Sequence, residues 1–173
     1  MTVVSLLTLA GCFNSSNNQP TASPEPTEVA VATDFCSSMS IATDSAALAR
    51  SALTSLYDEM ATDDITDPGH DLSVFTTAGE DVVAYGTAYV TALEQVRSFA
   101  DAALYEDLDA ISTYWETYAI EVGQMAADAE SYSAFVDAAR SLIEAPETAE
   151  MRTAQIESTD DVNREYAKVC SDA

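Results

Sequence analysis

The sequence predicts an all-α protein of the four-helix-bundle type with one extra short helix. Two successive segments carry apolar residues at alternating spacings of four and three, which is the heptad pattern of packed helices. Glycine and proline number only five each among 173 residues, which favours long helices with few turns. Cys36 and Cys170 stand near the two ends of the domain, and an even number of long antiparallel helices brings such ends together.

The first helix is predicted from Ser37 to Thr62. Either Ser37 or Ser38 is the expected N-cap, because a hydroxyl accepts a hydrogen bond from the free backbone N–H groups of a first turn. Its apolar stripe consists of Ile41, Leu48, Ala52, Leu56 and Met60. The acidic stretch around Pro68 and Gly69 that follows is typical of a loop.

The second helix is predicted to begin after Thr76 and Thr77, either of which could form a capping box with Glu80. Its heptad seam consists of Val82, Gly86, Tyr89, Leu93, Val96, Ala100 and Ala103. Glycine has no side chain, so Gly86 in this seam would let a neighbouring helix approach closely.

The third helix has its own seam, which is one residue out of register with the second near Ala103 and Leu104. The residues of this seam are Leu104, Leu108, Ile111, Trp115, Tyr118, Val122, Met125 and Ala129. The slip predicts a turn between the two helices. The alternative is a single helix of about 50 residues, which is far above ordinary length.

The remainder of the domain contains a short helix and a long one. Ser131 or Ser133 is the expected start of the short helix, and Pro146 suits the first turn of the last helix, which runs to Cys170. The polar stretch 157–161 in that last helix is expected to kink or break it.

Residues 3–10 form an apolar run too short to span a bilayer but typical of the core of a signal peptide. The run ends in Leu9-Ala10-Gly11-Cys12, which resembles the lipobox of bacterial lipoproteins. The resemblance implies cleavage before Cys12 and attachment of diacylglycerol to its thiol, with palmitate-type chains. Two acyl chains anchor a protein stably, so we expect a membrane-bound protein that faces outside the cytoplasm.

Three regions follow from this interpretation. Residues 1–11 are the signal peptide, and residues 12–33 are the lipidated cysteine and a disordered tether rich in Ser, Thr, Asn and Pro. Residues 34–173 are the acidic helical domain.

With Cys12 lipidated, Cys36 and Cys170 remain, and export places them in an oxidising compartment where disulfides persist. We therefore predict a Cys36–Cys170 disulfide. The alternatives are two buried free thiols or, less favoured, a metal site, for which partner ligands at useful spacing are missing.

The domain also resembles helical domains of uncharacterised actinobacterial lipoproteins. The resemblance rests on the Phe35-Cys36 start, the Pro146-Glu147 helix start and the terminal Tyr166 to Cys170 spacing. It implies the helical fold and the disulfide, and it carries over no catalytic residue.

The formal net charge of −24 repels nucleic acid, and we expect most of the acidic groups to form a solvated surface. His70 is the single histidine of the chain, so a di-iron bundle site, which needs two, is excluded. His70 is expected to be a solvated turn residue, and we predict neither enzymatic activity nor a cofactor. Weak candidates for a calcium site are Asp63, Asp64, Asp67 and Asp71, although their spacing does not match an EF-hand loop.

Four tyrosines lie off the two seams and form either a contact surface or the flanks of the core: Tyr85, Tyr105, Tyr114 and Tyr132. Trp115, on the third helix's seam, is expected in the core. Together these features favour a non-enzymatic module that binds or assists a partner protein of the cell envelope. The alternative is a receptor for a small ligand or a cation such as calcium.

Overall fold

The computed structural model describes residues 30–62, 66–67 and 71–171, and this part of the chain is helical without a strand. The helices are α1 (Phe35–Met60), α2 (Ser73–Phe99), α3 (Tyr105–Tyr114), α4 (Ile120–Ala127), α5 (Tyr132–Ile143) and α6 (Pro146–Cys170). A 3₁₀ turn (Ala102–Leu104) precedes α3, and a π-helical turn (Trp115–Ala119) joins α3 to α4 in one continuous helix. The prediction of four long helices and one short helix is confirmed.

The turn predicted between the two seams is present at Ala100 and Asp101. The backbone of both residues is extended, and the Asp101 carboxylate accepts a hydrogen bond from the Ala103 N–H. An aspartate cap therefore ends one helix and begins the next without glycine or proline. The alternative of one helix of about 50 residues is wrong.

The predicted starts of the first two helices are wrong by a few residues, for reasons that the caps explain. The N-cap of α1 is Asp34, which forms a capping box with Ser37. Helix α2 begins at Ser73 because the Asp71 carboxylate accepts a hydrogen bond from the Ser73 N–H, so Thr76 lies inside the first turn. The two later starts are as predicted, with Ser131 as N-cap of α5 and Pro146 in the first turn of α6.

The predicted core face of α1 is only partly correct. Ala52 and Leu56 are buried, whereas Leu48 is 52% exposed. The true core face follows alanines at short intervals: Ala42, Ala46, Ala49 and Ala52. Small side chains let α1 pack closely along α2, its most extensive neighbour. Helix α6 runs unbroken through its polar stretch, so the predicted kink or break is not observed.

Helices α2 and α4 approach so closely that glycine is required where they cross. A Cβ atom on Gly79 would lie 2.6 Å from the backbone nitrogen of Ala127, and one on Gly123 would lie 2.8 Å from Val82 Cγ1. A Cβ atom on Gly86 would lie 2.8 Å from Ile120 Cγ1, which confirms the close approach predicted there.

The Cys36–Cys170 disulfide is present, with the two Cα atoms 5.7 Å apart, and it joins the start of α1 to the end of α6. The chain enters the domain at this same end. Ala32 is buried, its N–H donates to Gln95 Oε1 (2.9 Å), and Gln95 Nε2 donates to the Ala30 carbonyl. The end of the bundle that carries the disulfide is therefore the end that would face the predicted tether.

Candidate functional site

A groove runs between α1 and α6, because α6 packs along α3 and touches α1 little beyond the disulfide. Its open part is a cleft of about 190 Å³. Tyr89, Leu93 and Ile111 form the floor of this cleft. Thr43, Ala47 and Arg50 line it from α1, and Thr159, Val162 and Asn163 line it from α6. We call this cleft, together with its continuation toward Tyr57, the α1–α6 groove.

The α1–α6 groove differs from the rest of the surface in charge. The chain carries 30 acidic residues against six basic ones, yet no residue that lines the described cleft is acidic. Four of the six cations are held in ion pairs: Arg97 with Asp109, Arg140 with Asp137, Arg164 with Asp161 and Lys168 with Glu165. Within the part of the chain that the structure describes, Arg50 and Arg152 have no ion pair, and both are exposed.

Arg152 belongs to the same groove, further from the disulfide. Arg152, Ile156, Thr159 and Asn163 follow one another at spacings of four, three and four, so they share one face of α6. The charge of Arg152 partly offsets the rise in pKa that burial causes at the Tyr57 and Tyr114 hydroxyls. One guanidinium group thus lies in a cleft without an acidic lining, and the second lies further along the same face of α6.

A cluster of tyrosines closes the half of the groove away from the disulfide. The Tyr57 and Tyr118 hydroxyl oxygens are 3.1 Å apart, and the Tyr114 and Tyr118 ring centroids are 5.4 Å apart. Tyr114 and Tyr118 are buried, whereas Tyr57 is partly exposed. Tyr114 is therefore a core residue rather than part of an exposed tyrosine surface. Trp115 is also in the core, as predicted.

The π-helical turn explains how so many aromatic residues reach one side of the third helix. In a π-helical turn each hydrogen bond spans five residues, so one extra residue is accommodated. Tyr114 and Trp115 are consequently both buried, as are Tyr118 and Ala119. The turn also places the Trp115 ring 5.5 Å from that of Tyr89, edge to face. π-helical turns occur frequently at functional sites, and this one underlies the groove.

Burial raises the pKa of Tyr57, Tyr89 and Tyr114, because a phenolate is costly in an apolar environment. The Arg50 guanidinium opposes this effect at Tyr89, to whose hydroxyl it can donate a hydrogen bond. All three hydroxyls are therefore neutral near pH 7. The groove offers two positive charges, neutral hydroxyls and an apolar floor, a combination that binds acidic groups.

A second cavity, of about 610 Å³, lies at the end of the bundle opposite the disulfide. Tyr132, Leu72 and Val136 contribute to its wall. Its charged residues are Asp67, Glu130, Asp137 and Arg140, of which the last two form an ion pair with each other. Its character is acidic, in contrast to the α1–α6 groove.

The predicted site residues fall into two groups. Cys36 and Cys170 are bonded to each other, whereas Leu9, Ala10, Gly11 and Cys12 lie outside the described residues. Of the calcium candidates, Asp63 and Asp64 lie outside them too, as does His70. Among the residues that are described, no three His, Cys, Asp or Glu side chains are arranged to hold a metal ion. The Asp71 carboxylate instead accepts a hydrogen bond from the Ser73 N–H at the start of α2.

Sequence reasoning missed Arg50, Arg152 and Tyr57. A local signal was present, because three of the four ion pairs join residues three apart in one helix, and neither Arg50 nor Arg152 has an acidic residue three or four positions away. That the two arginines lie along one groove depends on the packing of α6, which no local pattern reports.

No protein-family model, no curated protein and no solved structure matches this chain. Within the described residues, none of the helices combines the length and the apolar character needed to cross a membrane.

Proposed function

We propose that this protein is an exported lipoprotein whose helical domain is a non-enzymatic binding module of the cell envelope. Export places the domain outside the cytoplasm, Cys12 carries the lipid, and the tether holds the domain away from the membrane surface. The α1–α6 groove is its binding face. The partner is a protein of the envelope rather than nucleic acid, which the net charge of −24 repels.

The observation that carries this proposal is the pairing pattern of the cations. Arg97, Arg140 and Arg164 neutralise acidic neighbours on the surface, whereas Arg50 lines a cleft without acidic residues and Arg152 lies on the same face of α6 as part of that lining. In so acidic a chain, a cation that serves solubility or local stability has an acidic side chain within reach. Two arginines without such a side chain, on one groove, can form ion pairs with another protein.

The entry of the chain supports the same proposal. Gln95 binds the backbone of residues 30 and 32 beside the start of α1, so the tether leaves from the disulfide end. The α1–α6 groove runs from that end along the side of the bundle. A protein on the same membrane can therefore reach it from the side.

The anchor is tested by the intact mass of the protein extracted from membranes. We expect a chain that begins at Cys12 and carries the mass of the lipid. In the variant Cys12→Ser, we expect the protein to leave the membrane fraction. An unmodified chain with a different start would overturn the anchor.

The binding role is tested by in-cell crosslinking and mass spectrometry of the full-length protein. We expect one envelope protein to be captured reproducibly by the anchored form and far less by Cys12→Ser, because the anchor concentrates both partners at one surface. If neither form captures a protein reproducibly, the accessory role fails.

A second candidate function, binding of a small ligand or cation, is favoured by the cavity beside Tyr132. Its volume of about 610 Å³ lies within the range of small-molecule sites. Calorimetry of the purified protein with calcium tests the cation version, and the absence of heat would remove it.

A further inference from the structure

We propose that the α1–α6 groove binds an acidic amphipathic helix of the partner protein, with carboxylates placed against Arg50 and Arg152. This inference rests on the proposed binding function and names the chemistry of its partner. It follows from the charge of the groove, the spacing of its two arginines and the exposed apolar side chain of Ile156 at its rim.

The positive charge of the groove favours an acidic partner. This chain has five times as many acidic as basic residues, so an acidic segment is repelled from most of its surface. The cleft is the exception, because its lining contains Arg50 and no carboxylate, and Arg152 lies on the same face of α6 as its lining residues Thr159 and Asn163. The net charge of −24 slows the approach of an acidic helix, but one held at the same membrane is attracted locally at this groove, which gives specificity rather than a fast encounter.

The spacing of the arginines selects an extended partner over a compact anion. Arg50 lies seven residues before Tyr57, which is two turns of α1 or about 10 Å along the axis. Arg152 lies seven residues from Thr159, which lines the cleft together with Arg50, so it is two turns or about 10 Å further along the same face of α6. Two carboxylates seven residues apart on a helix have the same separation and the same face. The cleft itself, about 190 Å³, is smaller than the enclosed sites that hold small molecules.

The remaining surface of the groove suits the apolar side of such a helix. Leu93, Ile111 and Val162 lie beneath the groove and are only 1–3% exposed, so the apolar contact must come from its exposed rim. Ile156 shares the face of α6 that carries Arg152 and Thr159, and it is 52% exposed. Recognition of this kind, in which an amphipathic helix lies between two helices of its receptor, uses apolar contacts for affinity and rim charges for register.

The test places a photo-crosslinking amino acid in the full-length, lipid-anchored protein, at Ala47 or at Leu48. Ala47 lines the groove, whereas Leu48 lies on the opposite side of α1 and is 52% exposed. The two positions are adjacent in the chain and both are exposed, so they form a matched pair. We expect a crosslink from position 47 to a helical segment of the partner with carboxylates about two turns apart, and none from position 48.

The arginines are then tested in the position-47 protein. Arg50→Gln and Arg152→Gln should each lower the crosslink yield on the order of tenfold, since each removes a charged hydrogen bond to a carboxylate. Arg164→Gln removes a cation from α6 that is paired with Asp161, so it should leave the yield unchanged. Arg50→Glu should be rescued when the facing acidic residue of the partner is replaced by lysine.

Two results would overturn the inference while leaving the binding function intact. One is a reproducible partner captured from position 48 and not from position 47. The other is capture from position 47 that Arg50→Gln and Arg152→Gln do not weaken, or that joins a segment without paired carboxylates. Absence of any reproducible partner from both positions would instead count against the proposed function itself.

Discussion

The hydroxyl oxygens of Tyr57 and Tyr118 lie 3.1 Å apart, so a hydrogen bond joins α1 to the π-helical turn across the α1–α6 groove. Tyr118 is buried, and its ring packs on Tyr114. The bond therefore holds the side of the groove away from the disulfide, where α1 and α6 have few direct contacts. The disulfide links α1 to α6 directly, whereas this hydrogen bond links α1 to the helix along which α6 packs.

Replacing either tyrosine of this pair by phenylalanine should lower the free energy of unfolding by about 1 kcal/mol, since a buried hydroxyl then loses its partner. The double variant should cost less than the sum of the two single variants, because the second replacement removes the unpaired group. Urea unfolding of the four proteins measures this coupling. Tyr105→Phe, away from the pair, is the control, and additive losses would show that the two hydroxyls are not coupled.

The same cluster predicts a loss of stability at alkaline pH. Burial raises the pKa of Tyr57, Tyr89 and Tyr114 above the ordinary value of 10.0. Above that value the unfolded chain releases these protons while the folded chain keeps them, so the free energy of unfolding falls as the pH rises. Below it, both states hold the protons and these groups add no pH dependence.

Urea unfolding at several values between about pH 9 and pH 11 tests this expectation. Tyr57→Phe should show a shallower decline than the unmodified protein, because one of the shifted groups is gone. Equal declines in the two proteins would mean that the Tyr57 pKa is not raised by its surroundings.

The Cys36–Cys170 disulfide closes a loop with a sequence separation of 134 residues. Loop-closure entropy gives such a bond about 5 kcal/mol as an upper value. Since α6 has few other contacts with α1, we expect the double variant Cys36→Ser/Cys170→Ser to unfold at much lower urea concentration. Hydrogen exchange should also become faster in the last turns of α6 before it changes in α2.

Reductant provides the matched control for this prediction. It should destabilise the unmodified protein to the level of the double variant and leave the double variant unchanged. If the oxidised and reduced proteins unfold at the same urea concentration, the disulfide does not stabilise the fold as argued.

The fold was predictable because the heptad seams are long and contain large residues. Leu93, Val96, Leu108 and Ile111 are all buried where the pattern places them. Helix α1 was harder, because its core face is built from alanines and the larger Leu48 is on the outside. Prediction from apolar periodicity relies on large apolar residues. It gives the wrong core face where closely packed helices require small ones.

The groove was not predictable from sequence for a different reason. It depends on how far α6 lies from α1, which is a property of tertiary packing. The π-helical turn adds to this, because an inserted residue changes which side chains share a face. Tyr114 is off the predicted seam for that reason, yet it is buried beside Tyr118.

The crossing of α2 and α4 gives the last prediction. A Cβ atom on Gly79 would lie 2.7 Å from the carbonyl oxygen of Gly123, a contact that backbone atoms cannot relieve by a change of rotamer. Gly79→Ala and Gly123→Ala should therefore each separate the helices and lower the free energy of unfolding by about 1–3 kcal/mol, against the usual gain from alanine in a helix. Thr87→Ala, at an exposed position of α2, is the control and should change the stability little. Urea unfolding measures all three, and a gain in stability from either glycine replacement would show that α2 and α4 do not touch through their backbones.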